Sequence, residues 1–277
     1  MESDNMRRLE QKGKSAPNVQ VINRVLDIVE ILADQEEGGL RLTELATKVN
    51  LPTSTVYRLV TLMVRRGYIE QDDETQRYTL GLKVVELYGK RQGQVQLWRL
   101  APPLMDKLSQ CTGELVQLAV LSEGEMFYIL THDGTKIPRL HTPVGSRSPV
   151  HCTALGKAVL AYLSEPEVRA IVEEKGLEKY TARTIDTLEN LLIALKQIRE
   201  RGYAIDYGEQ FEELTCVGAP ILDARSRAVA AVSVSIPISR LQLQNLDGLA
   251  EQVTGTAREI STRLGYQFPT NKPEQVA

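Results

Sequence analysis

Residues 42–67, Leu-Thr-Glu-Leu-Ala-Thr-Lys-Val-Asn-Leu-Pro-Thr-Ser-Thr-Val-Tyr-Arg-Leu-Val-Thr-Leu-Met-Val-Arg-Arg-Gly, place two amphipathic runs on either side of a proline. Leu42, Leu45, Ala46 and Val49 mark one apolar face of a short helix. Asn50-Leu51-Pro52 ends it, because proline disfavours helical geometry in the residue before it. Thr53 or Ser54 is then placed to cap a second helix, whose buried face reads Val56, Leu59, Val60, Met63 and Val64. Ser54, Thr55, Tyr57, Arg58, Thr61 and Arg65 remain outward. Hydroxyls in a first helical turn with arginines behind them suit a major groove, where the turn meets base edges and an arginine meets phosphate or guanine. Two helices joined by a tight turn inside an all-α core are the plainer alternative.

Charge is concentrated on this segment. Residues 38–69 carry Arg41, Lys48, Arg58, Arg65 and Arg66 against the single acid Glu44. Residues 1–98 are balanced overall, and the chain as a whole has a formal net charge of −3. A protein that coats polyanions without selectivity is basic throughout. Positive charge confined to one motif favours specific docking by a dimer.

After Gly67 the pattern alternates. Residues 68–71 and 76–80 read as two strands of a hairpin around the acidic tip Asp72-Asp73-Glu74, which makes the hairpin a wing. Gln76 and Arg77 on its return strand are better candidates for phosphate than the tip. Upstream, Val21, Val25, Ile28, Val29 and Leu32 have helical spacing, and Arg24 projects from the polar side. Residues 1–18 read as a disordered arm.

At 277 residues the chain is long enough for two domains. Residues 19–80 are expected to be the DNA-binding domain, 81–98 a linker helix, 99–266 a second domain and 267–277 a flexible tail. No secretory signal and no apolar run long enough to span a bilayer is visible, so the expectation is a cytoplasmic protein without a membrane partner. Cys111, Cys152 and Cys216 are widely spaced and odd in number, the pattern of reduced thiols. His132, His141 and His151 fit no metal-binding spacing, and no cofactor is expected.

The second domain alternates strands and helices. Residues 114–121 and 125–131 flank Ser122-Glu123-Gly124 as a hairpin, and Arg139–Thr142 reads as a further short strand. Helices are expected over 154–163, 166–175, 188–201 and from Leu246 to Leu264, with strands over 203–207, 216–222 and 228–236. Such a mixture predicts an α+β domain with an antiparallel sheet.

Four blocks in order carry a resemblance to the IclR-type bacterial transcriptional regulators, over roughly residues 19–266. They are Leu51-Pro52-Thr53-Ser54-Thr55-Val56-Tyr57-Arg58-Leu59; Val144-Gly145 with Pro149, His151, Ala154 and Gly156-Lys157-Ala158; Gly202-Tyr203 with Asp206, Glu209 and Cys216-Val217-Gly218-Ala219-Pro220-Ile221; and Val232-Ser233-Val234-Ser235-Ile236-Pro237. The resemblance implies a winged helix-turn-helix, a linker helix and a GAF-like effector domain that binds a small organic acid. It also implies a homodimer formed through the DNA-binding domain, or a tetramer built as a dimer of dimers. Val84-Val85-Glu86-Leu87 and residues 257–266 are similar to the sugar-acid-catabolism regulators of the family.

The residues themselves add chemistry. Ser233 and Ser235 alternate with Val232, Val234 and Ile236, so both hydroxyls share one sheet face. Asp206 offers an acceptor, Cys216 a small polarizable wall, and the amides of Ala154 and Leu155 open a helix capped by Thr153. The resemblance places the pocket on Leu140, Ser148, Ala154, Leu155, Asp206, Leu214, Cys216, Ser233 and Ser235. Leu140, Leu155 and Leu214 are equally consistent with plain core. Glu213 stands where related chains usually have glycine, and points either into the pocket or to the surface; Arg139 and Arg147 are the cations that would offset it.

Two function classes follow. One is a ligand-responsive regulator, a repressor of a catabolic operon, whose dimer reads palindromic double-stranded DNA with half-sites about one helical turn apart. The other is an enzyme acting on a small carboxylic acid, with Cys152 or Cys216 as nucleophile near His151. No Gly-x-Ser-x-Gly, phosphate loop or paired-carboxylate motif supports the enzyme.

Overall fold

The computed structural model describes residues 17–35, 38–87, 96–136, 140–241 and 246–268. Residues 1–16 of the arm expected over 1–18, linker residues 88–95, Arg139 and the tail from residue 269 lie outside the described residues, while Pro17 and Asn18, also expected in the arm, begin the first helix. The chain divides into two compact units, Met1–Gln94 and Val95–Ala277.

In the first unit α1 (Pro17–Ala33), α2 (Leu42–Lys48) and α3 (Thr53–Arg65) precede β1 (Ile69–Gln71) and β2 (Tyr78–Leu80). Ile28, Leu32, Leu45, Ala46, Val56, Val60, Met63, Ile69 and Tyr78 form its core. Helix α2 ends before the proline can act. Asn50 takes a left-handed conformation, and the amides of Asn50 and Leu51 return to the carbonyls of Thr47 and Ala46. That is a Schellman stop, and Asn tolerates its positive φ better than most residues. Pro52 then precedes α3 directly. The amides of Thr55 and Val56 both bond its carbonyl. Thr53 and Ser54 therefore lie inside the first turn, and neither side chain caps it. At the other end Gly67, at φ 75°, closes a second Schellman stop, with Gly67 and Tyr68 bonding the carbonyls of Val64 and Met63. The chain leaves there, so Val64 loses its expected cover and is exposed.

The wing is shorter than its sequence pattern implies. Gln76 sits at positive φ in the turn, not on the return strand, and Asp72 ties the tip by accepting from the amides of Glu74 and Thr75. Leu40 adds an isolated bridge to Tyr78 that the sequence did not announce. A helix is described from residue 82 to 87.

The second unit is built on one six-stranded antiparallel sheet, ordered β5-β4-β3-β8-β7-β6. Its strands are β3 (Leu115–Ser122), β4 (Glu125–His132), β5 (Arg147–Pro149), β6 (Ala204–Tyr207), β7 (Leu214–Leu222) and β8 (Ala228–Pro237). Helices α4 (Gln96–Thr112), α5 (Ala154–Leu160), α6 (Glu165–Lys175), α7 (Leu188–Arg201), α8 (Ile238–Leu241) and α9 (Leu246–Arg263) complete it. The strand expected over Arg139–Thr142 does not form across its described part: residues 140–142 are irregular, and Pro143 and Gly145 turn the chain so that Arg147–Pro149 pairs with β4 instead.

Strand alternation makes the unit layered. Val116, Leu118, Val217, Ala219, Val232, Val234 and Ile236 face α4 and α9 in one core. The opposite face holds Ala119 and Ala231 against α5 and α7 in a second core. Gly218 lies on that opposite face, where an added Cβ would fall 2.9 Å from the carbonyl of Ala154. Only glycine lets the start of α5 approach the sheet so closely.

Candidate functional site

In the first unit, α3 buries Val56, Val60 and Met63 and leaves Thr53, Ser54, Tyr57, Arg58 and Arg65 exposed, with Thr55 half-buried beside them. The Thr61 hydroxyl donates to the Tyr57 carbonyl one turn back. Arg24 is half-buried on α1. The single acid of the motif is engaged within the fold. Glu44 accepts from the Arg41 amide at 2.8 Å, which caps α2, and meets Arg77 at 3.4 Å. Arg77 also donates to the Gly39 carbonyl at 2.7 Å. Gln76 is turned back onto the Asp73 carbonyl and Gln71. Of the two wing residues singled out from the sequence, Gln76 is thus held within the wing and Arg77 is tied to α2 and the segment before it, whereas Arg58 and Arg65 project from α3.

In the second unit, a cavity of about 140 Å³ opens on the face of the sheet that carries Gly218. Strand pairing assembles its floor. Asp206 lies opposite Cys216, and Cys216 opposite Ser235, across β6, β7 and β8. Ser233 lies opposite Gln117 on β3. Eight of the nine residues singled out, Leu140, Ala154, Leu155, Asp206, Leu214, Cys216, Ser233 and Ser235, line this one cavity. Ser148 does not: it is buried behind Tyr128 and donates to the Tyr128 hydroxyl at 3.1 Å. Glu213 is exposed and does not line the cavity. Arg147 is committed elsewhere, stacked on Phe127 and paired with Glu123.

Sequence reasoning missed Gln117, Tyr128 and Thr142 in the wall. Gln117 and Thr142 belong to a directional chain: the Cys216 thiol lies 3.1 Å from the Ser235 hydroxyl, Ser235 donates to Gln117 Oε1 at 2.7 Å, and Gln117 Nε2 donates to the Thr142 hydroxyl at 2.7 Å. Gln117 had one faint signal, a lone polar residue in the apolar run Leu115–Leu121.

Behind the wall lies a buried ion pair. Lys157 on α5 donates to the Ile205 carbonyl and to the Glu209 carboxylate, with both side chains shielded from solvent. Asp206 Oδ1 accepts from the Glu209 amide at 2.7 Å. Burial pushes the Asp206 carboxyl up to about 7; the Glu209 carboxylate adds to that, while backbone amides and Lys157 act against it. Burial likewise lifts the Tyr128 phenol to about 12. Among the described residues no lysine or arginine lines the cavity; the ionisable groups in its wall besides the tyrosine and cysteine are Asp206 and His141.

Neither thiol has the setting of a nucleophile. Burial pushes the Cys152 thiol up to about 12 and raises that of Cys216 as well. The His151 ring is engaged with the Glu178 carbonyl at 2.9 Å. Among the described residues no group of three potential ligands could hold a metal, and no helix is long and apolar enough to cross a membrane.

Comparison with known proteins agrees with both halves of this geometry. Residues 21–73 match the IclR helix-turn-helix domain and residues 91–262 the C-terminal domain of the IclR bacterial transcriptional regulators. The transcriptional regulator KdgR of Escherichia coli is 35% identical over 253 residues, covering 91% of this chain and 95% of its own. A crystal structure of a transcriptional regulator from Rhodococcus sp. RHA1 superposes with a TM-score of 0.79 at 26% identity, covering 89% of this chain and 98% of the other. An IclR homologue from Microbacterium hydrocarbonoxydans, crystallised with 4-hydroxybenzoate, gives 0.78 at 26% identity over 88% and 99% of the two chains. A winged reading head, a lined chamber on an antiparallel sheet and these matches leave one assignment: the chain belongs to the IclR family of bacterial transcriptional regulators and is a helix-turn-helix regulator with an effector-binding domain, not an enzyme.

Proposed function

We propose that this regulator is a cytoplasmic repressor of a catabolic operon, released from or tightened on its operator by a small keto, sugar or aromatic acid bound in the second unit. The observation that carries this reading is the chamber itself. Its lining sets Gln117, Asp206, Ser233 and Ser235 among apolar side chains such as Leu140, Leu155 and Phe211, all drawn from distant elements, and a volume near 140 Å³ is close to that of cavities that hold a benzene-sized molecule. Amides at the start of α5, the hydroxyls of Ser233 and Ser235, and Asp206 are the groups that would meet the acid. The 4-hydroxybenzoate held by the Microbacterium relative and the repressor function in the names of AllR and IclR relatives support the same reading.

On the DNA side, Ser54, Thr55, Tyr57 and Arg58 would meet base edges, with Arg65 on phosphate. A dimer is supported by an apolar surface on the first unit. Val21, Ile22 and Leu26 on α1, and Leu82, Val85 and Leu87 on the helix after the wing, are all exposed, with Leu82 at 72%. Six large apolar side chains left exposed on so small a unit support an interface. Two such units would present paired α3 helices to a palindromic operator; a tetramer would pair two of these dimers.

The test is fluorescence anisotropy with a duplex from the promoter beside the gene, titrated in the presence and absence of pyruvate, 2-keto-3-deoxygluconate and 4-hydroxybenzoate. The expected result is a preference for this duplex over a scrambled one, and a shift in affinity with at least one acid. Equal affinity for both duplexes, with no response to any acid, would sink the reading.

A further inference from the structure

The chamber poses an electrostatic problem for an anionic guest. Among the described residues no arginine or lysine lines it, yet one carboxyl does. Asp206 in the wall and Glu209 behind it both lie near the single ammonium of Lys157, which pairs with Glu209. Lys157 is spent: it donates to Glu209 and to the Ile205 carbonyl, and is buried. Glu209 takes the cation, and its second oxygen is buried without a partner among the described residues. That leaves Asp206 facing the cavity, held by backbone amides and, among the described residues, with no direct ion-pair partner. The other titratable groups around the cavity are Cys216 on β7, Tyr128 on β4, Cys152 before α5, and His141 in the cavity wall. None of the first three supplies positive charge.

We propose that the chamber takes its acid effector together with one proton, carried on Asp206, whose hydroxyl then donates a hydrogen bond to the effector carboxylate. An ionised Asp206 would instead set two carboxylates against each other in a site of low dielectric. The protonated form is accessible near neutrality because burial already raises this carboxyl to about 7. Acid binding and proton binding are then reciprocally linked: acidification tightens effector binding, and the effector draws a proton onto the protein. This inference rests on the effector reading above.

The experiment is isothermal titration calorimetry of the full chain with pyruvate and, separately, 4-hydroxybenzoate, at pH 8.0 in Tris and in HEPES. The two buffers differ in ionisation heat, so the difference between the observed heats counts protons. The expected result is uptake of close to one proton per bound acid, and an affinity that falls by about tenfold between pH 7 and pH 8.5. In Asp206→Asn the uptake should vanish and the affinity become flat with pH. The buffer comparison on the unaltered chain decides the matter even if that variant fails to fold. Binding without proton uptake, or uptake lost in His141→Gln but kept in Asp206→Asn, overturns the proposal while leaving the effector reading intact. If neither acid binds at any pH and 2-keto-3-deoxygluconate does not bind either, the effector reading falls and this inference with it.

Discussion

Arg58 and Lys157 are both cations on helices, yet α3 holds one out in solvent while the other lies sealed behind the chamber wall, bonded to a carboxylate and a carbonyl. The first unit spends its folding energy on a small apolar core and leaves its chemistry outside. The second buries its chemistry, and every polar group there must find a partner or destabilise the fold. A reading head can therefore be altered at its surface with little effect on stability. The cavity of the second unit cannot, because polar groups in and just behind its wall also bond across the sheet and tie α5 to it.

The largest expected effect is at Lys157. Lys157→Ala strands the Glu209 carboxylate in the interior, and removing one partner of a buried pair costs roughly 3–5 kcal/mol. Trp98 is the only tryptophan and packs on the core of the second unit, so its fluorescence during urea unfolding reports that unit alone. A midpoint shift of the Trp98 transition by the corresponding amount is expected. Replacing the pair together, Lys157→Met with Glu209→Leu, should recover much of the loss. An unshifted midpoint in the single variant would mean that the pair is not held as buried charge.

Asp206 comes next, with a definite sign. Its folded carboxyl, raised to about 7, keeps its proton while the unfolded one, at 3.8, loses it. The unfolded state therefore binds fewer protons between these values, and stability falls as pH rises through that window, levelling off above about 7. The full effect is on the order of 3 kcal/mol, since each tenfold difference in proton affinity between the folded and unfolded carboxyl is worth about 1.4 kcal/mol and the site is not wholly sealed from solvent. Asp206→Asn should remove this slope from the Trp98 transition, so the variant gains on the parent chain from pH 4 to pH 7. Parallel stability curves across that window would show that the folded carboxyl binds its proton no more tightly than the unfolded one.

Arg58→Ala is the counterpart on the exposed side. Loss of a base contact should weaken operator binding by roughly 1–3 kcal/mol and relax the sequence preference. The unfolding transitions should move by no more than about 0.5 kcal/mol, because the side chain is exposed on the outer face of α3. Equal losses on operator and scrambled duplex, with a salt dependence shallower by about one, would reassign Arg58 to phosphate.

The same contrast explains what the sequence disclosed. The outward face of α3 was legible because a period of 3.6 sorts Tyr57, Arg58 and Arg65 from Val56, Val60 and Met63 within thirteen contiguous residues. Helix ends were less legible. Thr53 was an apt cap by type, but the first bonds of α3 reach back to Pro52, and Val64 lost its cover only because Gly67 swings the chain away. In the chamber, alternation along β8 placed Ser233 and Ser235 on one face, and a period of two needs no distant information. Gln117, Tyr128 and Thr142 could not be found that way. Gln117 meets Ser235 and Thr142, and Tyr128 meets Ser148, through strand order and a loop turn at Pro143 and Gly145, and the sequence encodes no register between β3 and β8 that local patterning can read. Glu213 escaped for a related reason: it lies just before β7, and local pattern does not say which way such a residue points.

The smallest expected effect separates two arginines of the first unit. Arg77 lies in the wing, where phosphate contact is common, but its guanidinium is tied to the Gly39 carbonyl and, at 3.4 Å, to Glu44. That ion pair is more than a third exposed, so it is worth at most about 1 kcal/mol. Arg77→Ala should thus cost a fraction of a kcal/mol in stability and leave the salt dependence of operator binding unchanged. Glu44→Ala should cost more, about 1 kcal/mol, because it also removes the acceptor for the Arg41 amide at the start of α2. A double-mutant cycle of the two should return a coupling of about 0.2–1 kcal/mol. If Arg77→Ala instead lowers the salt slope by about one while stability stays put, the wing arginine swings from its intramolecular partners to the DNA. The contrast between the arginines that project from α3 and the lysine tied behind the cavity would then need redrawing within the first unit itself.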